Sequence, residues 1–340
     1  MSTERGRIQI SGFETGGGED WESETAQEKQ EEYVEPMSLW RRIVSRLARD
    51  RLALIGIVVV VLMTVTALVA RPISVSGMTV QPFSLAPFDP TATAVGGRHD
   101  APSMTHLMGT NRQGQDMLSR VMVGGRYSIS IGLVVTAIAA TVGVIYGSIS
   151  GYFGGWVDSV LMRFLDLVFA FPALVLALIL VALFGGGFWP LVGAFALVGW
   201  ASYARIIRGE ILKVKQNEYV LAAKALGARD RSVLFRHIIP NAIAPVVVQA
   251  TLSIGTVVIG VAALGFLGIG FSPGTPEWGT MLDAERDTLA TGAGGAWYWW
   301  ATIFPGLMIF LFVMSMNMIG DVINDALDTQ VDDVGHGGGG

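Results

Sequence analysis

The 340-residue chain has no cysteine, which excludes a disulfide framework and a thiolate metal site. Charge is scarce as well: Asp, Glu, Lys and Arg make up 15% of the residues, against about a quarter in a soluble globular domain. The four histidines (His99, His106, His237 and His336) are too scattered for HExxH or another local metal spacing. No glycine precedes a lysine, so the phosphate-cradling GxxxxGK[ST] loop is missing. One GxSxG match, Gly270–Gly274, contains Pro273 and precedes Pro276, at the exit of an apolar run. A nucleophile elbow needs a strand before its serine and a helix after it, so this reads as a chance match. No catalytic residue, cofactor or metal is expected, and no nucleic-acid partner.

Apolar sequence is abundant. Hydrophobic residues reach 51% and the mean hydropathy is +0.52, which indicates an all-α polytopic membrane protein. About 20 apolar residues in a helix cross a bilayer core. Six runs qualify as spans: Leu52–Ala70, Ser128–Ser150, Val160–Phe184, Phe188–Tyr203, Ala242–Leu267 and Trp297–Ile319. The third carries Arg163 and Asp166, three apart, which reads as a structural pair along the helix rather than a proton relay. Membrane-depth acids and histidines are otherwise lacking, which argues against an ion-coupled secondary transporter. That class, with channels, is the runner-up reading; a membrane scaffold comes third.

The net charge of −5 hides a segregation. Nine acids from Glu14 to Glu35 mark residues 1–36 as an acidic, disordered tail without the apolar core of a signal peptide. A plain solvated tail is the default reading, with solubility in high salt or a basic partner as alternatives. Residues 37–51 alternate Leu39, Trp40, Ile43, Val44 and Leu47 with arginines, the pattern of an amphipathic helix lying on membrane lipid. Six spans put both termini on one side. Arg41–Arg51 and the basic loop from Arg205 to Arg236 mark that side as cytoplasmic. The five arginines of the 71–127 loop run against the rule, but the denser clusters decide. The expected organisation is a first span at 52–70, an extracytoplasmic loop at 71–127, a core at 128–320 and a cytoplasmic tail at 321–340.

Small-residue and aromatic patterns add packing expectations. Gly143, Gly147 and Gly151 share one helix face, a groove for a close neighbour. Trp297, Tyr298, Trp299 and Trp300 read as an interfacial anchoring belt, with substrate stacking as the alternative.

The cytoplasmic loop 205–240 is too well patterned for a mere connector. Tyr219, Ala222, Ala223 and Leu226 recur at i, i+3, i+4 and i+7 on a short helix opening near Glu218. Gly227 stops that helix, Asp230 is placed to cap a second turn, and Pro240 sits where the next span begins. A rigid surface helix held between spans is a docking element.

This segment resembles the coupling loop of binding-protein-dependent ABC importer permeases. Their pattern is Glu-Ala-Ala, three residues, Gly, nine residues, then Ile-x-Leu-Pro, and Ala222, Ala223, Gly227 and Pro240 fall in register. Leu221 stands where the pattern has Glu, and His237-Ile238-Ile239 replaces Ile-x-Leu; Glu218, about one turn earlier, is a candidate replacement acid. His106–Arg120, Gly151–Asp158, Ala170–Pro172, Trp278–Met281 and Gly320–Asp328 are similar to stretches of the dipeptide, oligopeptide and nickel importer permeases of the second-subunit type. The resemblance spans residues 38–328. It implies a type I ABC importer permease fold with six transmembrane helices, and a role without catalysis, ATP hydrolysis belonging to other subunits. It further implies a second homologous permease, two cytoplasmic ATPases and an external substrate-binding protein, with di- or oligopeptides as cargo.

Overall fold

A computed structural model describes residues 39–75, 78–287 and 298–335. The acidic tail and Trp297 lie outside them. Contacts divide the chain at Arg42, and of the first unit only the opening turn of α1 (Leu39–Leu47) is described. The second unit, from Ile43 onward, carries all the remaining elements.

Asp50 opens α2 (Arg51–Val69) by accepting the Ala53 N–H at 2.9 Å, a side-chain cap on an otherwise orphaned donor. The helix shows large side chains outward: Leu52, Ile55, Val58, Val61 and Leu62 are all more than half exposed. Its small residues Ala53, Gly56 and Ala67 face inward, and Gly56 lies against the Ser315 carbonyl. That division suits a helix with lipid on one side and protein on the other.

A short hairpin comes next, β1 (Ile73–Val75) with β2 (Met78–Gln81), antiparallel. The segment after it is irregular but densely bonded. Arg71 pairs with Asp89 at 2.5 Å. Hydrogen bonds from the Thr91 hydroxyl and N–H, with the Arg71 charge, hold the Asp89 carboxyl below its ordinary range. His106 Nδ1 meets Asp116 at 2.9 Å, and Asp116 caps α3 (Met117–Phe153) through the Ser119 N–H. The 37 residues of α3 extend about 55 Å, well beyond the apolar thickness of a bilayer.

The third apolar run is not one continuous span. It forms α4 (Gly155–Phe169) and α5 (Ala173–Phe184), bent by 81° at Ala170–Pro172. Proline disfavours helix in the residue before it and donates no N–H, so the break falls where Phe171-Pro172 demands it. Then come α6 (Phe188–Val214), a polar connecting segment with α7 (Glu218–Ala225), α8 (Asp230–Ser232) and α9 (Ile239–Ala242), and then α10 (Ala244–Phe266), α11 (Trp278–Ala284) and α12 (Trp300–Gly335). Among the described residues five helices are long and apolar enough to cross a membrane, or six if the broken α4–α5 pair is one span. The fold class is as expected, helical and polytopic, with five to six candidate spans where six were expected.

The most extensive contact runs between α3 and α6. A Cβ on Gly143 would sit 2.5 Å from the Trp200 carbonyl and from Tyr203 Cβ, one on Gly147 would strike the Ala204 carbonyl, and Gly151 faces Ile211. The glycine groove is therefore filled by α6. Arg163 does not pair with Asp166. Instead Arg205 of α6 meets Asp166 at 3.2 Å, and Arg208 grips Asp158 with two bonds of 2.5 and 2.6 Å, which tie α4 to α6.

Trp300 corrects the aromatic-belt reading. It is buried, and its Nε1 donates to the Thr110 carbonyl at 3.0 Å; Tyr298 stacks on His99 at 4.1 Å. These rings fasten α12 to the segment before α3 instead of facing lipid. Glu277 is fully buried and caps α11 by accepting the Gly279 and Thr280 N–H groups and the Ser128 hydroxyl.

Candidate functional site: the segment between α6 and α10

The C-terminus of α6 is pinned before the segment starts. Val214 is buried, and Lys215 Nζ donates to the Gly151 carbonyl at 2.9 Å. Then α7 (Glu218–Ala225) forms as the periodicity predicts. Its end carries two reverse bonds, Gly227 N–H to Lys224 C=O (2.9 Å) and Ala228 N–H to Ala223 C=O (3.1 Å). This is the glycine-terminated Schellman closure, and Gly227 has φ +82°, where a Cβ costs energy.

The predicted face is the outward one. Tyr219, Leu221, Ala222 and Leu226 are exposed, Leu226 at 89%, Ala223 is half-buried and Glu218 is exposed. The residue that holds α7 down is Val220, at 0% exposure in a core with Ile207, Ile211, Val233 and Ile238. The i, i+3, i+4 reading passed over it because one inward valine makes no periodic stripe.

Asp230 does not cap α8 (Asp230–Ser232). Its carboxylate accepts the Tyr152 hydroxyl of α3 at 2.5 Å, and the Lys224 ammonium lies 4.8 Å from the centre of the same ring. The chain continues through π-helical turns at Val233–Ile238 into α9 (Ile239–Ala242), with exposed Pro240 in its first turn and a break at Ile243 before α10. Pro240 thus opens a short lead-in turn rather than the span itself. The π-turns bury Val233, Leu234 and Ile238 while turning Phe235 out at 61% exposure. Phe235, Val220, Lys224 and Tyr152 belong to the same structural unit, and motif spacing does not single them out.

The segment thus presents exposed apolar groups, Tyr219, Leu221, Leu226 and Phe235, on a backbone locked by its own caps and clamped to α3. The helices α3, α6 and α10 and the α4–α5 break line a cavity of about 480 Å³. Its polar lining is uncharged: Thr136, Ser202, Tyr203, Gln249, Ser253 and Thr256. The Thr136, Tyr203 and Ser253 hydroxyls lie close together in it.

The model of the binding-protein-dependent transport system inner membrane component matches residues 143–333. A second, the N-terminal transmembrane domain of oligopeptide transport permease C, matches residues 38–102. The dipeptide transport system permease protein of Alkalihalophilus pseudofirmus is 34% identical over 301 residues, 88% of this chain and 93% of that one. The oligopeptide transport system permease protein of Bacillus subtilis is 32% identical over 87% of this chain and 91% of its own. The glutathione transport system permease protein of Shigella dysenteriae serotype 1 is 36% identical over 86% of this chain and 91% of its own.

Proposed function

This chain belongs to the inner-membrane components of binding-protein-dependent transport systems, and we propose that it moves short peptides inward in an ATP-driven importer. It works beside a second, homologous permease. Two ATPases bind beneath, and an external binding protein delivers cargo. Peptide cargo is supported by relatives named for dipeptide, oligopeptide and glutathione transport.

The observation that carries the reading is the rigid segment Glu218–Pro240, whose exposed apolar side chains sit on a backbone fastened to α3 and α6. Glu218, Tyr219, Leu221, Ala222, Ala223, Leu226 and Gly227 form the ATPase-facing surface, with Pro240 setting the exit angle. Leu221 offers an apolar contact where related permeases offer an acid. ATP shifts the spans between two packings only by favouring one of them, and closure of the ATPases around α7 supplies that preference. The neutral cavity beside the α4–α5 break is the proposed lining of the path. Its hydroxyls and Gln249 match the amide groups of a peptide.

The segment carries Lys213, Lys215, Lys224, Arg229, Arg231 and Arg236, which supports a cytoplasmic position for it and for both termini. The helix α1 then lies at the interface against lipid, 71–127 is outside, and the acidic tail 1–36 and residues 321–340 are cytoplasmic.

The test is reconstitution. Vesicles with both permeases, the ATPases and the binding protein should accumulate peptide only with ATP. Uphill accumulation by the permeases alone would overturn the reading.

A further inference from the structure

The loops before α3 and around α11 enclose a second cavity of about 590 Å³, at the end of α3 away from the coupling segment. Arg120 and Tyr152 lie about 48 Å apart along that helix. Arg120 forms part of the cavity wall and is 2% exposed. Its Nη1 donates to the carbonyls of Pro90 (2.8 Å) and Gly274 (3.2 Å), while its Nε is buried with no hydrogen-bond partner. Among the described residues no carboxylate lies within ion-pairing distance of it. Glu285 acts on it only from a distance, its oxygens meeting His99 Nε2 at 2.8 Å and the Arg112 N–H at 3.0 Å.

Two carbonyl dipoles offset part of the cost of burying a guanidinium, but they do not neutralise it. The walls beside it bring Thr93, Gln113, Tyr127 and Thr280, and no Asp or Glu. A buried cation without a neighbouring counter-charge, in the wall of a cavity of hydroxyls and amides, suits an anion with a planar oxygen pair. Arg120 is only 2% exposed, so a small solute fits better than the side chain of a folded partner.

We propose that this cavity is a carboxylate-binding site and that its ligand is the free carboxylate of a transported peptide, which meets Arg120 before entering the membrane path. The proposal rests on the peptide-importer reading. Guanidinium N–H groups of Arg120 would take the two oxygens, with the hydroxyls and Gln113 left for the amide groups.

The test uses the purified permease–ATPase complex without its binding protein, titrated with dialanine and with dialanine amide by saturation-transfer NMR. Wild type should bind the free acid roughly tenfold more tightly than the amide. Arg120→Gln should erase that preference, Arg120→Lys should keep part of it, and Arg286→Gln, on an exposed side chain, should leave it intact. Equal binding of acid and amide by wild type, binding of neither, or a preference surviving in Arg120→Gln overturns the proposal. Should Arg120→Gln fail to assemble, the wild-type comparison and Gln113→Leu, which should weaken both ligands, decide it. ATP-driven uptake by wild type is scored separately, so failure of the importer reading is distinguishable from failure of this site.

Discussion

The Tyr152 hydroxyl donates to the Asp230 carboxylate across 2.5 Å, joining the last turn of α3 to the start of α8. The same ring lies under the Lys224 ammonium of α7. One side chain of the long helix thus grips the docking segment on both sides of the Gly227 turn. Force applied to α7 reaches α3 through that ring and through the Val220 core.

Tyr152→Phe keeps the ring and its attraction for Lys224 but removes the donor. The loss is about 1 kcal/mol, roughly fivefold in any equilibrium that depends on the link. ATP hydrolysis by the assembled importer should persist while peptide transported per ATP falls severalfold. An unchanged transport-to-hydrolysis ratio would show that the hydroxyl carries no coupling.

Val220 and Leu226 lie in one short segment with opposite surroundings. Val220→Ala removes buried apolar volume and should cost about 1.6 kcal/mol, loosening α7 from the core. Leu226→Ala removes an exposed side chain and should leave thermal stability unchanged, while ATPase co-purification with the permease drops. Melting in detergent and pull-down of the ATPase give the two readouts. The reverse pattern would mean that Leu226, not Val220, anchors the helix.

Much of this was legible because helix periods, glycine stops and apolar runs are local signals. Gly227 stops α7 through a backbone angle that only its own residue type makes cheap, so spacing sufficed there. The ends of the long helices were another matter. Apolar length places the second span at Ser128 and the end of the fourth at Tyr203, yet α3 begins at Met117 and α6 runs to Val214. Hydropathy stops at the first arginines, but the helices run on, and those arginines find partners: Arg126 bonds the Ala67 and Arg71 carbonyls, and Arg205 meets Asp166. Such partners lie tens of residues away, as does the Tyr152–Asp230 link, so no local pattern announces them.

Gly227 permits a graded test of the stop itself. No neighbour lies within 4 Å of a Cβ placed there, so only the backbone conformation at φ +82° resists substitution. Gly227→Asn should be nearly silent, because asparagine visits the left-handed region. Gly227→Val should cost about 1–2 kcal/mol and unwind the turn. Uptake and ATPase association should fall for valine and hold for asparagine. Equal loss with both would place the requirement in space against a partner rather than in the turn.

The α3–α6 contact makes the opposite demand, because there the space is already occupied. A Cβ on Gly147 runs into the Ala204 carbonyl, which is backbone and cannot swing aside, whereas one on Gly193 of the same helix pair meets nothing within 4 Å. Gly147→Ala should force the two helices apart at a cost of about 1–3 kcal/mol, and Gly147→Leu should abolish folded protein. Gly193→Ala should be neutral or slightly stabilising, since alanine prefers the helix more than glycine does. Thermal unfolding in detergent separates these outcomes. A Gly147→Ala protein as stable as Gly193→Ala would mean that α3 and α6 do not pack through their glycine face. The Lys215–Gly151 bond would then remain as the polar link between the two helices.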